Sequence, residues 1–238
     1  MLKNSSSKFL PTDTNVLISL GANCLSWVLK KLHETKKVVF LITEDVYREL
    51  IDRPFKYDYL KLEIFRYIDL IDSGVIRIVD HDITNIAHKL GELANNTYFS
   101  HDKSIKILHK GELSLLAIAK MYNLKFISSD EVILRLFLER PLELKNLLER
   151  RLHTYVDFSR RNWERVIDFI GRKIRVIRSA ELLYYAFKIG LFNNKINIIR
   201  KHIRNARYHY LRGLLYAVKN KGCGISGNEI EAYLRTLL

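Results

Sequence analysis

Four carboxylates carry the chemical interest of this 238-residue chain: Asp13, Glu49, Glu112 and Asp130. Asp13 closes a short apolar run that begins at Lys8, and Thr14-Asn15-Val16-Leu17-Ile18 follows it at once. Glu49 lies two helical turns beyond the apolar run 38–42, Glu112 falls in the first turn of a helical pattern opened by Gly111, and Asp130 ends the strand pattern 124–128. In an open parallel sheet, ligands bind outside the carboxyl ends of the strands, where all four acids are placed to meet. Carboxylates gathered without a partner repel one another, and at least one is driven to keep its proton at neutral pH. A divalent cation removes that conflict. Mg²⁺ and Mn²⁺ accept hard oxygen ligands, keep several waters and bridge one or two carboxylates to a phosphate. Such an ion polarises a phosphoryl oxygen and lowers the pKa of an attacking water, so the reaction class is phosphodiester hydrolysis.

Each acid also has a plainer reading. Asp13 suits a turn, Asp130 suits the N-cap of a helix starting near Val132, Glu112 is favoured in a first helical turn by the helix dipole, and Glu49 lies near Arg48 and Arg53 on a solvated face. Taken singly these readings suffice; they do not explain why the acids fall at one end of the inferred sheet. Glu44, Asp45, Asp80, Asp82 and Glu131, also near strand ends, read as caps or solvated charges.

The elements that must position the acids are strands near 8–12, 37–42, 74–79, 124–128 and 174–178, with helical patterns between them. Alternating strands and helices imply an α/β fold with a parallel sheet covered on both faces, a three-layer arrangement. Residues 131–170 read as two helices with no strand pattern, a helical insertion in the sheet domain. Residues 194–219 read as one long helix whose apolar stripe is Ile199, Ile203, Ala206, Leu211, Leu214 and Val218. Gly222 to Gly227 reads as a turn, and Ser226 with Glu229 three residues on is a capping box for a final helix through Leu238. The expected organisation is a sheet domain over 1–191 and a basic helical extension over 192–238.

The stretches 13–18, 38–50, 109–119 and 126–130 together resemble the PIN-domain nucleases, and 173–191 looks like the last strand and helix of one subgroup. The resemblance implies a metal-dependent nuclease fold acting mostly on RNA, less often on DNA. Carried over by position, Asp13, Glu49, Glu112 and Asp130 are the catalytic acids, with Asp13, Glu112 and Asp130 holding Mg²⁺ or Mn²⁺, and Asn15 and Ser128 orient them. It also implies endoribonuclease activity as one half of a toxin–antitoxin pair, a protein inhibitor or an RNA-processing partner, and pairing as a homodimer. The chain departs from the family by Ser129, where Thr or Asp is usual, and by the long insertion. A binding module that keeps the fold with little chemistry stays open as the alternative.

The partner is bounded by charge. Residues 1–138 carry 19 basic against 17 acidic side chains, whereas residues 139–238 carry 21 against 9, so nearly all of the net +14 belongs to the second half. A near-neutral acidic half joined to a strongly basic half suits binding and cutting a polyphosphate, because neutralising the backbone supplies most non-specific affinity. Arg160, Arg161 and Arg165 in the insertion, and Arg200, Lys201, Arg204, Arg207, Tyr208 and Arg212 on the long helical pattern, are the candidate nucleic-acid contacts, with Tyr208 or Tyr210 able to stack on a base. A solvated basic face with core tyrosines explains the same pattern. Two cysteines, Cys24 and Cys223, provide neither a disulfide framework nor a metal spacing, so a reducing cytoplasm is the expected compartment. Residues 1–7 read as a short flexible tail. No uncharged apolar run approaches the roughly 20 residues that cross a bilayer, so no membrane partner is expected.

Overall fold

The structure, a computed structural model, describes residues 8–171 and 173–237. The expected tail at 1–7 lies outside the described residues, as does Leu238, the expected end of the last helix. That helix spans Gly227–Arg235 and opens with the Ser226–Glu229 capping box.

Five short strands occupy the places their apolar runs indicate: β1 (Lys8–Pro11), β2 (Val38–Ile42), β3 (Ile76–Ile78), and later β6 (Phe126–Ser128) and β8 (Arg175–Ile177). β2 is flanked by β1 and β3, all parallel, and β6 runs parallel to β8. The two groups meet at a parallel bridge between Thr12 and Ser128, so the spatial order is β3-β2-β1-β6-β8. Strand alternation sends Leu10, Phe40, Ile42 and Ile76 into one apolar core, while Val39 and Leu41 pack with Ile118 on the opposite face. Burial on both faces accounts for the uninterrupted apolar run of β2. Each such side chain contributes about 1.5–3 kcal/mol. Among the described residues, no helix is long and apolar enough to cross a membrane.

Two sequence expectations change. The segment after β6 holds three helices, Val132–Glu139, Pro141–Leu152 and Arg160–Ile170, and also a strand, β7 (Asp157–Phe158). β7 pairs antiparallel with β4 (Tyr98–Ser100), which also pairs with β5 (Lys103–Ser104). These strands are two or three residues long and depend on the burial of Tyr98 rather than on a repeating pattern. The expected single helix over 194–219 is instead two, Asn193–Ile199 and Ala206–Lys219, separated by Arg200–Asn205. Arg200 and Arg204 repel at a four-residue step, Ile203 stays exposed, and Asn205 takes a left-handed conformation (φ 54°) that asparagine tolerates.

The C-terminal helices do not hang from the sheet domain. Leu211, Leu214, Leu215, Val218, Ile225, Ile230 and Leu234 join the core that contains Leu10 and Phe40. Arg178, buried just beyond β8, fastens them: its guanidinium donates to Glu181, to Glu229 at 3.0 Å and to the Gly224 carbonyl at 2.5 Å.

Candidate functional site

The chain runs β1 to β2 to β3 on one side and then returns to build β6 and β8 on the other. Parallel order therefore reverses between β1 and β6, and in open parallel sheets the carboxyl ends of two such strands are where a ligand crevice forms. Asp13 stands there. Its backbone N–H donates to the Ser128 carbonyl at 2.9 Å, the last link between the two halves of the sheet. Its side chain caps the helix Thr14–Ala22, with Oδ1 accepting from the Thr14 N–H at 2.8 Å, while Oδ2 accepts from the Ser129 hydroxyl at 3.4 Å. Burial pushes the Asp13 carboxyl up from 3.8 to about 7; the Thr14 N–H opposes the shift, and the charges of Glu112 and Glu131 add to it.

Three other acids stand around it. Glu112 opens the helix Lys110–Met121, and its Oε2 accepts from the His109 N–H at 2.9 Å. Glu49 lies in the wide turn Arg48–Asp52, accepts from the Thr14 hydroxyl at 2.6 Å and approaches Arg53 at 3.4 Å. Glu131 accepts from the Asn15 amide at 2.9 Å, and its own N–H donates to the Ser129 hydroxyl at 3.2 Å.

Two residues assigned from sequence, Asp130 and Ser128, make structural contacts away from Asp13. Asp130 is buried and turned to structure: Oδ1 accepts from both the N–H and the hydroxyl of Ser179, at 2.8 and 3.0 Å, which fixes the start of the helix Ser179–Lys188. Burial pushes its carboxyl up, and it in turn helps raise the buried Cys223 thiol to about 12, behind burial itself. Ser128 donates to the Ile177 carbonyl at 2.9 Å and ties β6 to β8; Ser129, not Ser128, orients Asp13. The reason is the two-residue period of extended chain. Beyond β6, Ser129 and Glu131 face the crevice, while Ser128 and Asp130 face the neighbouring strand and helix. Glu131, read from sequence as a cap or solvated charge, is instead one of the two acids whose charge bears on Asp13, and the alternation after a strand ending at Ser128 is the sequence signal that sets it apart from Asp130.

A divalent cation fits the chemistry of this donor set. Asp13 meets two further carboxylates whose charges oppose its own ionisation, and a cation reverses that opposition. Among the described residues no three His, Cys, Asp or Glu side chains form a ready-made cage. Mg²⁺ does not require one, since it is held through one or two carboxylates with waters completing its shell.

The basic candidates divide. Arg200, Lys201, Arg204, Arg207, Tyr208 and His202 line part of an open hollow of about 1040 Å³ around the helix break, whose lining contains no carboxylate side chain. Arg207 lies over the Phe187 ring at 4.8 Å, and Arg212 reaches Glu231 at 2.6 Å and the Tyr208 hydroxyl at 3.0 Å, so these two also serve packing. Tyr210 packs on Phe192, with ring centroids 5.5 Å apart. In the insertion, Arg160 pairs with Glu164 at 2.9 Å, whereas Arg161 and Arg165 are exposed. Compared with known proteins, the chain matches no family model, no curated sequence and no solved structure.

Proposed function

We propose that this protein is a metal-dependent ribonuclease with a PIN-like fold, hydrolysing RNA phosphodiester bonds in the crevice between β1 and β6. The observation that supports the reading is Asp13 at the point where strand order reverses, within electrostatic reach of Glu112 and Glu131 and with its carboxyl raised, chiefly by burial, to about 7. Asp13, Glu112 and Glu131 would hold Mg²⁺ or Mn²⁺, which supplies charge stabilisation at the phosphoryl group and a lowered water pKa when bound. Asn15 and Ser129 keep Glu131 and Asp13 aimed into the crevice, and Glu49, held by Thr14, extends the negative wall. The basic hollow around Arg200 and Arg204 supports a backbone grip that offsets the repulsion between RNA and the acids.

The test is cleavage of end-labelled single-stranded and structured RNA with Mn²⁺ and with EDTA. Wild-type protein should cleave only with the metal, and Asp13→Asn, Glu112→Gln and Glu131→Gln should each lose at least about a hundredfold in rate. Retained cleavage in the Glu131→Gln protein would overturn the assignment of that acid. A second reading, an RNA-binding module with little chemistry, draws on the diversion of Asp130 into structure. Metal-independent RNA binding without turnover on any of these substrates would favour it.

A further inference from the structure

The residues that follow Glu49 hold aromatic rings out in water. After the wide turn Arg48–Asp52 come two short 3₁₀ turns, Pro54–Lys56 and Asp58–Leu60, before the helix Lys61–Asp72. On them Phe55, Tyr57 and Tyr59 are 49%, 44% and 80% exposed. A packed aromatic ring removes some 150–250 Å² from water and is among the largest apolar contributions to a core, so three left outside by one short segment call for an occupant. Pro54 and the tight turns stop the segment from joining the following helix, and so keep the rings away from the core that Ile64, Tyr67 and Leu70 enter.

The surroundings of the rings identify the occupant. Lys56 places its ammonium 5.0 Å from the Tyr57 ring centre, and Lys61 lies 5.4 Å from that of Phe55. Tyr57 and Tyr59 sit 5.8 Å apart. Arg53, at the head of the segment, makes an exposed pair with Glu49 four residues back at 3.4 Å, so the segment follows directly on Glu49. Exposed rings interleaved with cations beside a carboxylate site match what an unpaired nucleotide needs: every base has a face that stacks, and every phosphate attracts a lysine. We propose that Phe55, Tyr57 and Tyr59, with Lys56 and Lys61, form a stacking platform for the unpaired bases of single-stranded RNA at the rim of the acidic crevice. This deepens the ribonuclease reading and rests on it for the route of the strand: it makes single-stranded RNA, rather than duplex, the substrate class. Leu62 and Phe65, exposed on the next helix, extend the same apolar surface and make a protein interface the competing use.

Fluorescence anisotropy with the full chain in EDTA separates these. The probes are a short oligouridylate, an abasic ribose-phosphate strand of equal length and an RNA duplex. Wild type should prefer the oligouridylate. Tyr57→Ala with Tyr59→Ala should weaken that binding about ten- to a hundredfold and leave the abasic strand bound as before, while Tyr57→Phe with Tyr59→Phe should restore it. Unchanged affinity in the alanine pair, an equal loss for the abasic strand, failure of the phenylalanine pair, or no RNA binding by wild type overturns the platform. So does a wild-type dimer, seen by sedimentation, that Leu62→Ala with Phe65→Ala dissociates, since the surface is then a protein interface. Cleavage with Mn²⁺ is followed in parallel. Ring-dependent binding without cleavage removes the nuclease reading alone, and cleavage without ring dependence removes the platform alone.

Discussion

Replacing Asp13 with asparagine should make the protein more stable at pH 8 and leave it little changed at pH 4. Asp13 has its folded-state pKa raised, to about 7 from 3.8, by burial and then by Glu112 and Glu131. Below pH 4 both folded and unfolded chains hold the proton, and the group contributes nothing. Between pH 4 and 7 the folded chain binds more protons than the unfolded one, so stability falls as pH rises; above 7 the loss is complete and constant. The shift is about three units, and at 1.36 kcal/mol per unit the deficit reaches about 4 kcal/mol as an upper bound. Asparagine keeps an acceptor oxygen for the Thr14 N–H, turns an amide N–H toward the Ser129 oxygen in place of Oδ2, and carries no charge. Urea unfolding at pH 4, 6 and 8 in EDTA should give curves for the two proteins that diverge steadily with pH. Mn²⁺ at pH 8 should then raise the wild type toward the variant and leave the variant unmoved, because an ion that binds only the folded state stabilises it by mass action. A stability difference that is the same at pH 4 and pH 8 would refute the argument that Asp13 sits among unneutralised carboxylates.

The other predictions test the remaining assignments. Asp130→Ala leaves the buried N–H and hydroxyl of Ser179 without their acceptor and should cost about 2–3 kcal/mol in urea unfolding; Glu131→Gln should stay within about 0.5 kcal/mol of wild type while losing cleavage. Arg178→Met strips Glu181 and Glu229 of their buried partner and should cost about 3–5 kcal/mol, with faster amide exchange over 206–235. Burial opposes the ionisation of Glu229, but the Ser226 N–H and Arg178 hold its carboxyl at about 2; the stability it lends is present above the ordinary carboxylate range and is lost as pH falls toward 2, and that loss should be smaller in Arg178→Met. Charge reversal at Arg200 and Arg204 should lower the slope of log affinity for single-stranded RNA against log salt by about 0.7 for each phosphate that is no longer neutralised, and an unchanged slope would remove the hollow from the binding surface.

The sheet was legible because its strands are apolar runs buried on both faces, as β2 is, and such runs leave a mark in the sequence that short polar-edged strands do not. β5 and β7, two residues each, are held by pairing with β4 and leave no periodic trace. The helix break at Arg200–Asn205 was hidden because the apolar stripe continues on either side of it, with Ile203 exposed and Ile199 half-buried at the break. In the site, Asp13 and Glu112 could be placed from strand ends and helix starts alone. Asp130 and Glu131 could not be told apart in that way. Adjacent acids differ only in which side of the extended chain they face, and that side is set by Ser179 and Cys223, residues distant in sequence that cover one face of β6 and claim Asp130. The Arg178 network is illegible for the same reason: Glu229 is 51 residues away.

The division of charge between the halves of the chain acquires a physical sense once the core is considered. Acids at a crevice repel RNA, and a strongly basic appendage on a flexible tether would attract it without aiming it. Here the C-terminal helices that carry the basic hollow bury Leu211, Leu215 and Ile230 in the same core as Leu10, and Arg178 locks their end to the residue that follows β8. The hollow and the Asp13 end of the sheet are therefore held by one packed body; on the ribonuclease reading, a strand drawn to the first would meet the second in a fixed register. Loosening that body should harm the two activities unequally. In Arg178→Met, where the other basic side chains all remain, RNA affinity should change less than the rate of cleavage, since attraction needs charge while hydrolysis needs position; an equal loss in both would mean that the two surfaces act separately.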